Sequence, residues 1–195
     1  MAYLLKRGKM KLILASNSPR RKDLLKKLGY EFDVVVSEYQ EQSFSSDPRL
    51  TATTFAWGKA KAVFENLKDK DSVVVLGADT IVYCENEIIG KPKDEKDAFN
   101  MIKKLSGKTH KVITGFCLIN TDKIITDYVT SNVKFYTLSD DEIASYVKSG
   151  LYKGKAGGYG IQDEDCKLVE SYSGSLNNII GLPTEKVQEY LNKLL

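Results

Sequence analysis

The sequence predicts an α/β protein: a mixed, twisted sheet with helices packed on it and a central cleft, built from residues 10–195 as one continuous domain. Two patterns point there. In the first half, short apolar runs alternate with segments whose apolar residues recur every three or four positions, and in the second half strand-like runs follow one another through short turns. A composition of 42% apolar and 28% charged residues excludes a disordered or fibrous chain.

The elements follow in order. Residues 12–15 read as a buried strand, and Ser18 before Pro19 reads as a helix N-cap with proline at the first helical position. That helix carries Leu24, Leu25 and Leu28 on one face and stops at Gly29. A second strand is expected at "FDVVVS", then a polar loop, "EYQEQSFSSDPR". A long helix over about residues 51–67 has Phe55, Ala56, Ala60, Val63 and Leu67 as its buried stripe. "SVVVLGADTIVY" reads as an apolar strand broken by "GADT", with a tight turn at "EN" and a return through "IIGKP". Residues 94–105 have helical spacing and end at Ser106-Gly107. "KVITGFCLIN" and "IITDYVTSNVKFY" are two longer strands joined at "TDK". Ser139 and Glu142 form a capping box that opens a helix to Ser149. Glycines 150, 154, 157, 158 and 160 then erase all periodicity, a composition suited to backbone that approaches a ligand. A strand at 168–173, a loop and a helix from Pro183 complete the chain.

Bulk properties narrow the function. The 29 basic and 26 acidic residues are interspersed, so a net charge of +3 argues against a dedicated nucleic-acid partner and leaves a polyanionic small molecule open. No apolar run approaches the ~18 residues that would cross a bilayer. Cys84, Cys117 and Cys166 are far apart and lack CxxC spacing, as expected of reduced thiols in a cytoplasmic protein. Residues 1–9, "MAYLLKRGK", place charge after the apolar pair, unlike a secretory leader, and read as an N-terminal extension.

Candidate chemistry begins in "LILASNSPRRKDLL". Where strand turns into helix, free backbone N–H groups and the positive helix end coincide, and Ser16, Ser18, Arg20 and Arg21 surround that point as an anion site. Asp79 in "LGADTIV" is expected at a strand end facing a cleft, where a carboxylate binds Mg²⁺, takes a proton from water, or merely caps a turn. Lys91 in "IIGKPKD" suits a phosphate as a point charge and equally suits solvent. Lys59 reads either as a ligand or, with Lys61, as the wet face of its helix, and Glu41 as a metal ligand or a loop solubiliser. Gln162 offers donor and acceptor, the pairing that reads a base edge. His110 has no second histidine to complete a metal or nucleophile pair, and "GKTH" lacks the upstream glycine of a phosphate loop.

Taken together and in register, "LASNSPRR", Glu41, "GKAKA", "GADT", "GKPKD", "LSGKTHKVITG", "AGGYGIQ" and "GLP" resemble the Maf family of nucleoside triphosphate pyrophosphatases over nearly the whole chain. The resemblance implies two lobes around a nucleotide cleft, similar to inosine triphosphate pyrophosphatases, and hydrolysis of a nucleoside triphosphate to monophosphate and pyrophosphate with Mg²⁺ or Mn²⁺. It implies that Ser16, Arg21, Lys59 and Lys91 hold the triphosphate, that Glu41 and Asp79 hold the metal, and that Asp79 activates water. Arg20, Thr80 and Gln162 match the branch that acts on dTTP and UTP. Gly158 departs from that branch, which commonly has alanine there. The expected partner is therefore a pyrimidine nucleoside triphosphate, with no stable nucleic acid and no membrane, and a two-fold homodimer is the oligomer implied. A nucleotide-binding regulator of cell division with little turnover is the alternative, and a nucleic-acid-binding module the third; paired carboxylates beside a phosphate site disfavour a pure binder.

Overall fold

The computed structural model describes residues 10–41, 45–163 and 167–194; the N-terminal extension at residues 1–9 and Cys166 lie outside the described residues. The chain runs β1 (Lys11–Leu14), α1 (Pro19–Lys27), β2 (Phe32–Val34), α2 (Pro48–Glu65), β3 (Val73–Cys84), β4 (Glu87–Ile89), α3 (Glu95–Leu105), β5 (Thr109–Ile119), β6 (Ile124–Phe135), α4 (Asp140–Lys148), β7 (Val169–Ser173), α5 (Leu176–Ile180) and α6 (Thr184–Leu194). The strands make a seven-stranded mixed sheet of order β2-β1-β3-β5-β6-β7, with β4 added to β3. β1 is parallel to β2 and β3, and the remaining pairs are antiparallel. Among the described residues no helix is long and apolar enough to cross a membrane.

The expected break at "GADT" does not exist: β3 is continuous from Val73 to Cys84 because β5 pairs with it from Val75 to Tyr83 along one edge. The other edge is shared. β1 pairs with Val73 to Leu76, and β4, returning through a turn with Glu85 and Asn86 both at positive φ, pairs with Val82 to Cys84. Between those two ladders residues 77–81 have no neighbouring strand on that edge among the described residues.

The alternation of side chains along β3 divides the core. On one face Val74, Leu76 and Ala78 join Leu12, Leu14, Leu25 and Leu182 in a first cluster, while Val82 and Cys84 join Ile102, Phe135, Ile143 and Tyr159 in a second. These clusters are the two lobes, and Thr80 lies between them on the strand. The opposite face is covered by α2, whose Ala56, Ala60 and Val63 pack on Val73, Val75 and Cys117.

Several boundaries differ from expectation for local reasons. The second strand stops at Val34 rather than Ser37; it is a sheet edge paired only with β1, whose own strand ends at Leu14. α2 starts at Pro48, not 51, because Asp47 caps it by accepting from Arg49 N at 2.9 Å. Ser18 occupies the N-cap of α1 but its side chain caps nothing. The loop before Pro183 contains α5, capped by Ser175. The capping box of Ser139 and Glu142 is present as expected.

His110 belongs to the second cluster's packing. It is 1% exposed, its Nε2 lies 2.7 Å from Tyr159 Oη, and its Nδ1 has no hydrogen-bond partner among the described residues. Burial pushes its pKa down to about 4. Unfolded histidine binds its proton near pH 6.5, so stability is complete above that pH and declines toward pH 4, by up to about 3 kcal/mol. Denaturant unfolding at pH 7 and pH 5 should show this loss in wild type. His110→Gln, which keeps a partner for Tyr159, should flatten the dependence; an unchanged slope would refute it.

Candidate active site

The open edge of β3 creates the site. Neighbouring residues of a strand point to opposite faces, so Asp79 and Thr80 leave β3 on different sides of the sheet, and one cleft reaches both only where no strand covers the edge. Asp79 is therefore mid-strand rather than at a strand end. The strand that ends is β1: its chain continues one bond further, Ala15 N donating to Leu76 O at 2.8 Å, and then departs into α1. A ligand crevice beyond the carboxyl end of a parallel strand is the general outcome of this geometry.

On the α2 side, close approach of helix and sheet sets the positions. A Cβ at Gly77 would lie 2.3 Å from Ala56 O, and one at Gly115, which is paired with Asp79, 2.5 Å from the Ala52 carbonyl carbon. The small residues bring α2 against the strands, and Lys59 reaches over the edge. Its Nζ lies 2.5 Å from Asp79 Oδ1 and 2.6 Å from Glu41 Oε1. Lys91, just beyond β4, stands 3.7 Å from the same Glu41 oxygen. Asp79 and Lys59 side chains are only 7% and 13% exposed, so this pair is shielded from water as surface pairs are not. At Glu41 burial opposes ionisation, yet the Lys59 hydrogen bond and the charges of Lys59, Lys91 and Arg21 hold its carboxyl below the ordinary range. Lys61, by contrast, lies on the wet face, near Glu65 and over the Trp57 ring.

On the α1 side two arginines are anchored at defined points. Arg21 donates from Nε to Gly181 O at 2.8 Å, from Nη2 to Thr80 Oγ1 at 3.1 Å and from Nη1 to Ser16 Oγ at 3.3 Å. Burial lowers its pKa from the ordinary guanidinium value, with Asp79 and Glu41 opposing; it remains a cation at neutral pH. Arg20 donates to Ile180 O at 3.3 Å and Gly154 O at 3.4 Å. Ser16 is buried, its Oγ also accepting from Ser18 N, so it props the turn and Arg21. Of the four residues expected at this turn, Ser16 is the brace, while Ser18, Arg20 and Arg21 line the adjoining cavity.

Both sides open into one cavity of ≈ 440 Å³, a size typical of small-molecule sites, with Arg20, Arg21, Asp79, Thr80, Lys91 and Gln162 in its wall. Ser16, Lys59 and Glu41 are not in that wall; Lys59 meets it through Asp79, and Glu41 through Lys59 and Lys91. The glycine-rich segment closes the far side, where Gly157 and Gly158 both have positive φ, at 69° and 74°. Alanine at 158 would be strained in this conformation, which accounts for the glycine found there. Val82, Val112, Tyr159 and Ile179 supply an apolar floor.

Sequence reasoning missed Asn17 and Lys153, which line the cavity, and Asn178, which fixes its floor. Asn178 is fully buried, accepts from Thr114 N, donates to Val112 O and Ser131 Oγ, and its carbonyl accepts from Thr114 Oγ1. Only a buried polar residue in a short helix announces that role, and "SLNNII" gives no such sign. Among the described residues no three of His, Cys, Asp and Glu gather to hold a metal. Glu41 and Asp79 are donors of the kind and number that Mg²⁺ takes, since proteins commonly hold it with one or two carboxylates while substrate phosphates and water supply the rest, and Lys59 Nζ bridges the two here.

Comparison with known proteins agrees in kind. A family model described as Maf-like protein matches residues 11–194. The "dTTP/UTP pyrophosphatase" of Aquifex aeolicus (strain VF5) is 46% identical over 185 residues, covering 95% of this chain and 96% of its own length. Proteins of the same name from Ruminiclostridium cellulolyticum (strain ATCC 35319 / DSM 5812 / JCM 6584 / H10) and Clostridioides difficile (strain 630) are 43% and 44% identical over 187 residues, each match covering 94% of this chain and 95% of theirs.

Proposed function

The chain belongs to the Maf-like family, and on that premise we propose that it hydrolyses dTTP and UTP to the nucleoside monophosphate and pyrophosphate. The observation that supports this most is the convergence on one cleft of a shielded carboxylate, Asp79, with the cations Lys91, Arg20 and Arg21, while Lys59 pairs with that carboxylate. A triphosphate carries several negative charges that must be neutralised and held in line for attack. Arg21, Arg20 and Lys91, with the N-terminus of α1, bind those phosphates. Ser16 and Thr80 keep the Arg21 guanidinium in its plane, which leaves further N–H groups for phosphate oxygens.

Asp79 receives the proton of a water whose oxygen forms the new bond to the α-phosphorus; the bond from that phosphorus to the bridging oxygen breaks and pyrophosphate leaves. Lys59 orients the Asp79 carboxylate and compensates its burial. Glu41 and Asp79 would hold Mg²⁺ or Mn²⁺, which when bound neutralises phosphate charge and favours the leaving group. Gln162, in the wall of the same cavity, faces the nucleoside. Pyrophosphate release should be measured with UTP, dTTP, CTP, ATP, GTP and 7-methyl-GTP. UTP and dTTP should lead, chelation should abolish release, and added Mg²⁺ or Mn²⁺ should restore it. A lead for 7-methyl-GTP, or full activity in chelator, would overturn the respective assignment.

A further inference from the structure

A buried charge network lies directly behind Gln162. Asp163 and Lys155 form an ion pair whose side chains are only 9% and 11% exposed. Asp163 Oδ2 accepts from Lys155 Nζ and from Tyr146 Oη at 3.2 Å, and its Oδ1 accepts from Gln162 Nε2 at 3.2 Å. The fold leaves room for this arrangement. A Cβ at residue 160 would lie 2.6 Å from Gln162 Nε2 and 2.8 Å from Asp163 Oδ2, so Gly160 is the seat over which both side chains fold. Asp163 N also donates to Gly160 O at 3.2 Å, closing the turn.

The chemistry of these partners is directional. An ionised carboxylate only accepts, whereas a primary amide has one accepting and one donating end. Asp163 therefore engages the NH₂ end of Gln162, and turning the amide over would set its oxygen against a carboxylate oxygen. With Nε2 held from behind, the amide oxygen and the second N–H are the groups left for a ligand. A ring with a protonated N3, as in uracil and thymine, presents a donor where cytosine presents a bare acceptor. The amide end that faces this position decides between them.

We propose that Asp163, held by Lys155 and Tyr146, is a positioning residue that fixes the Gln162 amide with its oxygen toward ring position 3 of the base, and so selects uracil and thymine over cytosine. The proposal rests on the pyrimidine-nucleotide reading above. It assigns Asp163 no contact with substrate; it acts through Gln162.

The test is kcat and KM for UTP, dTTP and CTP in wild type, Gln162→Ala, Asp163→Asn and the double variant. Asp163→Asn can present either end to Gln162, so the UTP-to-CTP ratio of kcat/KM should narrow about tenfold, the worth of one hydrogen bond, mainly through KM. In the Gln162→Ala background the same change should move the ratio no further. An unchanged ratio in Asp163→Asn, or an equal narrowing without Gln162, overturns the proposal. Because Asp163→Asn leaves Lys155 buried without its counter-charge, Lys155→Met/Asp163→Asn is measured beside it. That variant should narrow the ratio likewise, and wild-type selectivity in it would also overturn the proposal. If wild type releases no pyrophosphate from any of the three nucleotides, the hydrolase reading itself fails, a result separate from unchanged selectivity in an active enzyme.

Discussion

Asp79→Asn should lower kcat for pyrophosphate release from UTP by about 10²–10⁴-fold, the range for removing a positioned general base. The substitution is nearly isosteric and keeps an oxygen for Lys59, 2.5 Å away in the wild type. What it removes is the proposed site for the water's proton and one of the two carboxylates proposed for the metal, so the comparison is made at saturating Mg²⁺. The phosphate contacts proposed for Arg20, Arg21 and Lys91 are untouched, so under that condition KM should change far less than kcat, the pattern of an interaction made only in the transition state. Steady-state kinetics on UTP, with a melting curve to establish that the variant is folded, decides it. Turnover within a few-fold of wild type would remove Asp79 from the chemistry and leave it as a structural partner of Lys59.

The largest stability effect is expected at a residue with no side chain. In Gly77→Ala the new methyl would meet Ala56 O at 2.3 Å and Ala60 N at 2.8 Å, both of them backbone atoms of α2. No rotamer change relieves such a clash; the helix must lift from the sheet. Overpacking of this kind costs about 1–3 kcal/mol, occasionally more, and for a protein of this size each kcal/mol lowers Tm by roughly 2–4 °C. The expected fall is therefore about 2–12 °C. Activity should decline as well, since lifting α2 draws Lys59 away from Asp79. A variant with wild-type Tm would mean that α2 is not seated as described.

How far the sequence announced this can be judged from particular residues. Long periodic segments such as residues 95–105 and 124–135 were legible because one buried face repeats at the period of the element. "GADT" misled because small and polar residues normally end a strand, whereas here they are what lets α2 and the cleft approach one that continues. α5 was invisible because five residues are too few to show a period. At the site, Ser16, Arg20 and Arg21 could be grouped from local chemistry at one turn. The meeting of Glu41, Lys59 and Asp79 could not: three residues from a loop, a helix and a strand converge only through tertiary packing, and only resemblance to a family joined them beforehand. Asp163 was passed over because an aspartate in an acidic loop looks solvated until Lys155 and Tyr146 are seen around it.

β3 and β5 are paired from Val75 to Tyr83, and that ladder crosses from one apolar cluster to the other beneath the cleft. Two lobes joined in this way share paired backbone, so swinging one against the other at this point would strain the central hydrogen-bond ladder. The separation of the arginines of α1 from Lys91 beyond β4 is then a property of the folded chain, set before any nucleotide arrives. The entropy of aligning those charges is lost once, during folding, and an incoming triphosphate meets a receptor already in register.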